Sequence, residues 1–181
     1  LTIVNAARVS FGKEKKEIDG KDKRLIKYLI RHRHTSTLEH NVVTFRFCVP
    51  LFVRSQHHRH RTWSYNEISR RYTDENLNFY EPNQFRTQHK SNRQASNCNE
   101  LINPIISMYD PACSEPLKIH ASKLVANFHK DALQYYDELI NSGICREQAR
   151  GLLPQNLYTE YYATVNLNNL IKFISLRTHD G

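Results

Sequence analysis

The side chains of this sequence that could do chemistry are concentrated in one short segment. Residues 59–72 read Arg-His-Arg-Thr-Trp-Ser-Tyr-Asn-Glu-Ile-Ser-Arg-Arg-Tyr, which places four arginines and three aromatic residues within fourteen positions. A core segment would not carry so many charges, because unpaired charges are costly to bury. Guanidinium groups pair with phosphates, and aromatic rings stack on planar groups. The segment therefore predicts a site for a ligand that carries both a phosphate and a planar ring.

Two elements must position the start of this segment. Residues 42–49 alternate apolar and polar side chains, which predicts a half-buried strand that ends at Pro50. Proline suits the first turn of a helix. On such a helix the side chains of Gln56, Arg59 and His60 would share one face, because they lie three and four residues apart.

The second half of the segment predicts a polar wall. If the chain is extended there, Glu67, Ser69 and Arg71 point to one side, because side chains alternate along a strand. An acceptor, a hydroxyl and a cation would then lie side by side. Ser69 could instead be a nucleophile, but nucleophilic catalysis needs a base within hydrogen-bond reach, and the sequence fixes none beside it. A hydrogen bond from Ser69 to a substrate is the favoured interpretation.

Apolar periodicity predicts the other elements of the chain. They are a helix from Leu25 to about His32, a polar loop over residues 83–100, a helix over residues 115–142 capped by Gly143, a short helix with Arg146 and Arg150 on one face, a strand over residues 157–165 and a last helix that carries Arg177. This order indicates one α+β domain over residues 1–181, with a mainly antiparallel sheet flanked by helices.

The composition indicates a soluble globular protein with an anionic partner. The 181 residues are 39% hydrophobic and carry a net charge of +8, and no apolar run reaches the roughly 18 residues that span a bilayer. The positive charge favours a nucleotide, a nucleic acid or an acidic membrane surface and does not by itself choose among them. Of these, we expect no membrane partner. The sequence has no G-x-G-x-x-G segment and no P-loop, so side chains and helix termini would hold a nucleotide. The cysteines lack C-x-x-C spacing, which predicts reduced thiols in a cytoplasmic protein; they are Cys48, Cys98, Cys113 and Cys145.

The sequence also allows two other kinds of site besides that of a nucleotide enzyme. His57, His58 and His60 could bind a metal, but the flanking arginines repel cations and no carboxylate is suitably spaced, so we expect no metal site. A basic module for single-stranded nucleic acid is the stronger alternative, since the arginines alternate with aromatic residues such as Trp63. The single Glu67 among them suits a sugar hydroxyl or a ring N–H better than a polynucleotide backbone. We therefore expect no nucleic-acid partner.

Four motifs together resemble the flavin-dependent thymidylate synthases (ThyX family). Arg59-His60-Arg61, followed after seven residues by Ser69, is similar to the Arg-His-Arg-x7-Ser motif of that family. The other matching motifs are His34-Thr35-Ser36-Thr37-Leu38-Glu39-His40, Cys145-Arg146-Glu147-Gln148-Ala149-Arg150 with Leu153-Pro154, and Asn166 with Leu176-Arg177. The motifs follow the order of the family across nearly the whole chain.

The resemblance implies an activity, its cofactors and an assembly. The family converts dUMP to dTMP, with methylene-tetrahydrofolate as the carbon donor and FAD, usually reduced by NADPH, as the hydride source. Its members have a ThyX-like fold and are homotetramers whose active sites are shared between subunits. They also continue past the Leu-Arg element into a further helix that contacts the flavin, whereas this sequence stops at Gly181, so we expect its termini to be incomplete.

The resemblance also implies a role for each matching residue. The residues implied to hold FAD are Ser36, Arg59, His60, Arg61, Glu67 and Asn166. The residues implied to hold dUMP are Gln56, Glu67, Ser69, Arg71, Arg150 and Arg177. As catalytic residues, Arg177 would stabilise negative charge as C5 of the uracil becomes nucleophilic, and His34 and Tyr72 would serve the pterin and its proton transfers. In the last helix Asn168 and Lys172 depart from the family, which often has Arg and Asn there, so FAD contacts are not carried over to them.

Overall fold

The computed structural model describes residues 1–109 and 115–178, and this chain divides into two compact units. The first unit comprises Leu1–Phe47, Ser55–Glu67 and the described residues from Glu160 onward, and the second comprises Cys48–Arg54 and Ile68–Thr159. The prediction of one domain over the whole chain stays a prediction. Cys113 lies outside the described residues, and the thiols of Cys48, Cys98 and Cys145 are free and exposed.

The structure contains helices and antiparallel pairs of strands, which confirms the predicted α+β class. The helices are α1 (Thr2–Arg8), α2 (Gly20–Arg31), α3 (Leu51–His57), α4 (Ala121–Asn141), α5 (Arg146–Ala149) and α6 (Leu167–Ser175). The strands are β1 (Val42–Pro50), β2 (Ser64–Glu67), β3 (Phe85–Gln88), β4 (Ser96–Ile102), β5 (Ile105–Met108), β6 (Leu117–His120) and β7 (Tyr158–Asn166). Short 3₁₀ helices lie at Val9–Phe11, Thr35–Leu38 and Arg150–Leu152. Within the described residues β7 lies between β1 and β2 in one sheet, and β3–β4 and β5–β6 form two antiparallel pairs.

The three-stranded sheet buries alternate side chains of its long strands. Along β1, Val43, Phe45 and Phe47 are half-buried while the residues between them are exposed, so the predicted half-buried strand is confirmed. Alternate residues of β7 are buried in the same way. β2 pairs antiparallel with β7, with Glu67 opposite Tyr161. The strand that follows the Arg-His-Arg segment is therefore fixed against the most buried strand of the first unit.

The long fourth helix begins later than its apolar pattern predicts. The pattern predicts a helix over residues 115–142, but residues 117–120 pair with β5 as strand β6, and α4 begins at Ala121. The side-chain oxygen of Asn103 accepts from the backbone N–H of Ser122 at 3.0 Å and so satisfies a donor of the first helical turn. The predicted cap at the other end is confirmed, because Gly143 adopts a φ of +87°, in the left-handed region.

Residues 83–100 contain a hairpin and not the polar loop that their composition predicts. β3 pairs antiparallel with β4, with Gln88 opposite Ser96. The Gln88 amide closes the connection, since its Nε2 donates to the backbone carbonyls of Asn92 and Ala95 at 3.3 and 2.9 Å. A polar hairpin shows little apolar alternation, so hydrophobic periodicity does not reveal it.

An apolar cluster in the second unit fixes the segment that carries Arg146 and Arg150. Its buried members are Tyr136, Ala149, Leu153 and Leu157. The predicted short helix is present as α5 and the 3₁₀ helix that follows it. Because Ala149 is fully buried, the cluster holds this segment while Arg146 and Arg150 stay exposed.

We expect Leu153→Ala to lower the free energy of unfolding by about 2–5 kcal/mol, because it removes buried methyl groups and leaves a cavity. Leu152→Ala is the matched control: Leu152 is 43% exposed and Leu153 only 9%, so the control should change stability by less than about 0.5 kcal/mol. Urea denaturation followed by circular dichroism measures both. Equal losses in the two variants would contradict the placement of Leu153 in the core.

Candidate functional site

The Arg-His-Arg segment lies on a turn that follows α3. The helix ends at His57, and the backbone N–H groups of Arg59 and His60 donate to the carbonyls of Gln56 and His57 at 3.3 and 3.0 Å. The helix predicted after Pro50 is present as α3, but it ends at His57, so Gln56, Arg59 and His60 do not share a helix face. The turn leaves Arg59 and Arg61 exposed.

A tyrosine hydroxyl ties the two ends of this turn together. Tyr65 Oη lies 2.9 Å from the carbonyl oxygen of His57 and 3.0 Å from that of His60. Pairing between β2 and β7 places Tyr65 opposite Ala163, so the sheet determines where the hydroxyl lies. Burial raises the pKa of Tyr65, which keeps the hydroxyl protonated and able to donate. The turn is thus held by the sheet as well as by the helix before it.

Aromatic side chains of the first unit surround His57, at the start of the turn. The ring centroids of Trp63, Phe47 and Phe173 lie 4.7, 4.9 and 5.2 Å from that of His57. Trp63 is only 6% exposed. The sequence predicts that aromatic residues of this segment stack on a ligand, but for Trp63 this is wrong, because its ring fills the core.

His57 is buried as a neutral side chain. Its Nδ1 lies 2.7 Å from Tyr161 Oη, and its Nε2 is buried without a hydrogen-bond partner among residues 1–109 and 115–178. Burial lowers the pKa of His57 from 6.5 to about 4, with smaller contributions in the same direction from nearby histidines and Arg177. The cluster therefore accommodates the imidazole only in its uncharged form.

Two predicted site residues from distant parts of the sequence meet in the first unit. Nη2 of Arg177 lies 2.7 Å from Nε2 of His60. A guanidinium group has donors only, so Nε2 of His60 must be the unprotonated ring nitrogen. Burial lowers the pKa of His60, and the charge of Arg177 lowers it further, which agrees with a neutral ring.

Arg59 and Arg61 carry the unpaired cations of the turn. Neither side chain forms a hydrogen bond or an ion pair with the part of the chain that the structure describes. Guanidinium groups without a protein partner are available to an anionic ligand, and their planar donor pattern matches phosphate oxygens.

The other predicted residues of the first unit lie on separate elements. Ser36 is exposed on the 3₁₀ helix that follows His34, and Glu67 is the last residue of β2. Asn166 caps α6, because its side-chain oxygen accepts from the backbone N–H of Asn169 at 2.9 Å. Asn166 therefore has a structural role whatever it contacts in a ligand.

In the second unit Ser69 to Tyr72 form a turn. β2 ends at Glu67, and the backbone N–H of Tyr72 donates to the carbonyl of Ser69 at 3.0 Å. The predicted wall of Glu67, Ser69 and Arg71 is therefore wrong, because it requires an extended backbone through Arg71. Ser69 Oγ instead accepts from the backbone N–H of Arg71 at 3.3 Å.

Glu147 contacts Arg71 and Arg150, two of the residues that the resemblance implies hold dUMP. Its carboxylate lies 3.0 Å from Nη2 of Arg71, and its backbone carbonyl accepts from Nε of Arg150 at 3.3 Å. Arg146 pairs with Asp74 at 2.9 Å, and its hydrogen bond lowers the pKa of that carboxyl. A cavity of about 350 Å³ is lined by Arg71, Tyr72, Cys145, Arg146 and Glu147. This lining suits a small anionic group.

Comparison with known proteins establishes the family. The sequence profile described as thymidylate synthase complementing protein matches residues 1–181. This chain belongs to that family. It is 43% identical over 175 residues to flavin-dependent thymidylate synthases of two Thermus thermophilus strains, and the match covers 97% of the chain and 58% of each relative. A flavin-dependent thymidylate synthase of Thermosipho melanesiensis is 40% identical over 177 residues, which is 97% of this chain and 71% of that relative.

The resemblance drawn from the motifs is thereby confirmed, and solved structures share the fold. A UMP/dUMP methylase, PolB from Streptomyces cacaoi, bound with 5-Br dUMP has a TM-score of 0.77 and 35% identity over 98% of this chain and 73% of that chain. The same methylase bound with 5-Br UMP has a TM-score of 0.70 and 33% identity over 98% and 71%. The chain spans less than two thirds of the Thermus relatives, of which it covers 58%.

The two positions of α6 that depart from the family have different environments. Asn168 is buried, and its side-chain amide donates to Glu39 at 3.0 Å. Asn168 therefore connects α6 to the segment 34–40, and its side-chain amide is engaged in that contact. Lys172 is exposed, so its charge is accessible to solvent.

Phe173 and Glu147 contact predicted site residues, and Tyr161 contacts His57 at the start of the turn, but the sequence indicated none of these contacts. Phe173 and Tyr161 fit ordinary core positions of a helix and a strand, and nothing in the spacing indicates which side chains they meet. Glu147 lies within a matched motif, which is a signal, but its two contacts depend on tertiary structure.

Residues 1–109 and 115–178 contain no group of three or more His, Cys, Asp or Glu side chains arranged to hold a metal ion. In the same ranges no helix has both the length and the apolar character needed to cross a membrane.

We expect His57 to make the first unit less stable as the pH falls from about 6.5 to about 4. Its folded pKa of about 4 lies below the ordinary value of 6.5, so over this range the unfolded chain binds a proton that the folded chain does not. The stabilisation is complete above the ordinary pKa and is lost as the pH falls toward the folded one. His57→Phe, which keeps a ring in the cluster, should show a shallower decline of melting temperature between about pH 7 and pH 5.

His40→Phe is the control for this measurement, since His40 is exposed in the same unit and should leave the decline as in the parent protein. Parallel declines in His57→Phe and the parent would show that His57 is not the titrating group.

Proposed function

We propose that the protein is a flavin-dependent thymidylate synthase that converts dUMP to dTMP. The observation that carries the proposal is the Arg59-His60-Arg61 turn, which is preformed and presents exposed guanidinium groups without a partner among the described residues. Family membership supports it, since relatives from Thermus and Thermosipho carry that name. Methylene-tetrahydrofolate as the carbon donor, FAD as the cofactor and NADPH as its reductant belong to the same proposal.

The turn fits the charges of FAD. A pyrophosphate and a reduced isoalloxazine are both anionic, and both favour nearby guanidinium groups. Arg59 and Arg61 extend from a turn whose ends are joined by Tyr65 Oη, so the backbone needs little ordering when a ligand binds. The remaining residues proposed to contact FAD are Ser36, His60, Glu67 and Asn166.

The phosphate of dUMP is assigned to Arg71 and Arg150. Both contact Glu147, and a cavity of about 350 Å³ lies at Arg71. Guanidinium groups bind phosphate in a bidentate way, which suits the dianion of a nucleoside monophosphate. The methylase of Streptomyces cacaoi, solved with 5-Br dUMP, supports a uracil nucleotide as the ligand class. The other residues proposed to contact dUMP are Gln56, Glu67 and Ser69.

Arg177 is proposed to act on the uracil ring. A guanidinium group at the uracil carbonyl stabilises negative charge as C5 becomes nucleophilic, so no protein nucleophile is needed and Ser69 serves only in binding. Tyr72, which is 82% exposed, and His34, which is also exposed, are proposed to contact the pterin and to move protons. FAD, when bound, supplies the hydride that completes the methyl group.

We propose a homotetramer with active sites shared between subunits. Exposed aromatic side chains on the longest helix support it, because Phe128 and Tyr135 of α4 are 56% and 59% exposed and aromatic residues are enriched at protein interfaces. Light scattering of the full-length protein after gel filtration tests the assembly, and a monomer would contradict it.

The single-stranded nucleic-acid module has less support than the enzyme. It requires exposed rings between the arginines, but Trp63 is buried and the Tyr65 hydroxyl is bonded to backbone carbonyls. Only Tyr72, among the aromatic residues of this segment, is freely exposed. The segment therefore offers one exposed ring for base stacking, whereas binding a single-stranded polynucleotide requires several.

The visible absorption spectrum of the purified full-length protein tests the proposal first. We expect a flavin spectrum that is bleached by anaerobic NADPH in the presence of dUMP, followed by dTMP formation when methylene-tetrahydrofolate is added. UMP should be assayed beside dUMP, because the related methylase was solved with analogues of both. A protein that neither contains nor takes up FAD would contradict the proposal, and salt-dependent polynucleotide binding would then be measured.

Arg177→Ala should abolish detectable dTMP formation and retain the fold. Removing one preorganised donor lowers kcat by about 10²–10³, and here the lost group carries a full charge. Arg24→Ala is the matched control, because Arg24 is exposed on α2, outside all the motifs. Full activity of the Arg177 variant, with an unchanged circular dichroism spectrum, would remove Arg177 from the mechanism.

A further inference from the structure

We propose that Phe173 is a positioning residue that holds Arg177 against His60 in the orientation that the reaction needs. The inference rests on the proposed function, in which Arg177 acts on the uracil ring. Phe173 lies outside the matched motifs, between Asn166 and the Leu176-Arg177 pair. Its role follows from what its ring and its carbonyl contact.

Arg177 contacts Phe173 in two ways. Its guanidinium carbon lies 3.9 Å from the centroid of the Phe173 ring, which is a cation–π contact. Its Nη1 also donates to the backbone carbonyl of Phe173 at 3.3 Å. The last helix, α6, ends at Ser175, so it does not carry Arg177 as predicted, and Arg177 lies two residues beyond its end. The backbone N–H of Arg177 donates to the carbonyl of Ile174 at 2.8 Å, which holds Arg177 in a turn at the end of the helix. A long and exposed side chain is thereby restricted to one region.

Phe173 supports the partner of Arg177 as well. The rings of His60 and Phe173 meet edge to face, with their centroids 4.8 Å apart. The hydrogen bond from Nη2 of Arg177 to Nε2 of His60 measures 2.7 Å, so the positions of the two side chains are linked. A protonated His60 would repel the guanidinium group, and the lowered pKa of His60, caused by burial and then by Arg177, favours the neutral ring. One phenyl ring thus fixes both members of this hydrogen bond.

The Phe173 ring is itself held in place. Its centroid lies 5.2 Å from that of His57 and 5.1 Å from that of Trp63, and both of those side chains are buried. Asn166 caps the start of the same helix. Contacts therefore lead from the core of the first unit through Phe173 to the exposed guanidinium group. A cation that is ordered before the substrate binds needs no reorganisation during the reaction, which is the condition for electrostatic catalysis.

Phe173→Leu in the full-length, FAD-loaded protein tests the inference, because leucine keeps an apolar side chain and removes the ring. We expect flavin content to stay near that of the parent and kcat for dTMP formation to fall about tenfold, a part of the loss expected when the donor is removed. Phe173→Tyr retains the ring face and should keep kcat within about twofold. Ile174→Ala, a truncation at the next helix position, is the control and should leave kcat unchanged. Phe173→Met replaces the leucine variant if that protein does not fold.

A double-mutant cycle on dUMP affinity distinguishes positioning from a general structural role. In the parent protein, Phe173→Leu should lower the affinity for dUMP about three- to tenfold. In the Arg177→Ala background it should have no further effect on that affinity, because the two residues would act as one unit. Equal weakening in both backgrounds, or no weakening in either, would overturn the inference. A parent protein that binds neither FAD nor dUMP would instead overturn the proposed function.

Discussion

The Arg-His-Arg turn depends on keeping His57 uncharged inside a cluster of rings. An imidazolium in that position would be a buried charge next to Arg177, and the low pKa of about 4 expresses how strongly the fold opposes it. His57 is also the last residue of α3, so this buried side chain lies where the helix ends and the turn begins. Through Phe173 the cluster reaches His60 and Arg177. The geometry of the exposed cations is therefore decided in the interior.

The arginines of the two units are prepared for anions in different ways. In the first unit Arg59 and Arg61 have no partner among the described residues, so they give up no protein contact when an anion binds. In the second unit Arg71 is paired with Glu147, and Arg150 is bonded to the carbonyl of the same residue. An anion at Arg71 must replace or share a carboxylate contact. The pair between exposed side chains is weak, so this exchange requires little free energy.

Sequence reasoning succeeded where one local signal decides the outcome. The alternation of β1 and the cap at Gly143 follow directly from side-chain pattern and backbone conformation. It failed where distant groups decide, as in the hairpin within residues 83–100 and the start of α4, which depends on pairing with β5 and on Asn103. These contacts join segments that no periodic pattern relates to one another.

The same limit applies to the site. The motifs named His60 and Arg177, but not the hydrogen bond between them or the phenyl ring that both contact. The sequence also predicts that the aromatic residues of the segment stack on a ligand, because composition does not show whether a ring faces a ligand or the interior. The burial of Trp63 and the bonded hydroxyl of Tyr65 show that these two residues support the turn.

The Tyr65 hydroxyl has a single hydrogen, yet it lies within hydrogen-bond distance of two carbonyl oxygens, at 2.9 and 3.0 Å. The two ends of the turn therefore share one proton. When a small displacement lengthens one of these bonds, the hydrogen can rotate toward the other oxygen, and the loss at one end is partly offset at the other. The turn can thus shift slightly, as the binding of an anion between its arginines would require, while Tyr65 still bonds at least one of its ends. The residue that holds the turn therefore also allows it a narrow range of movement.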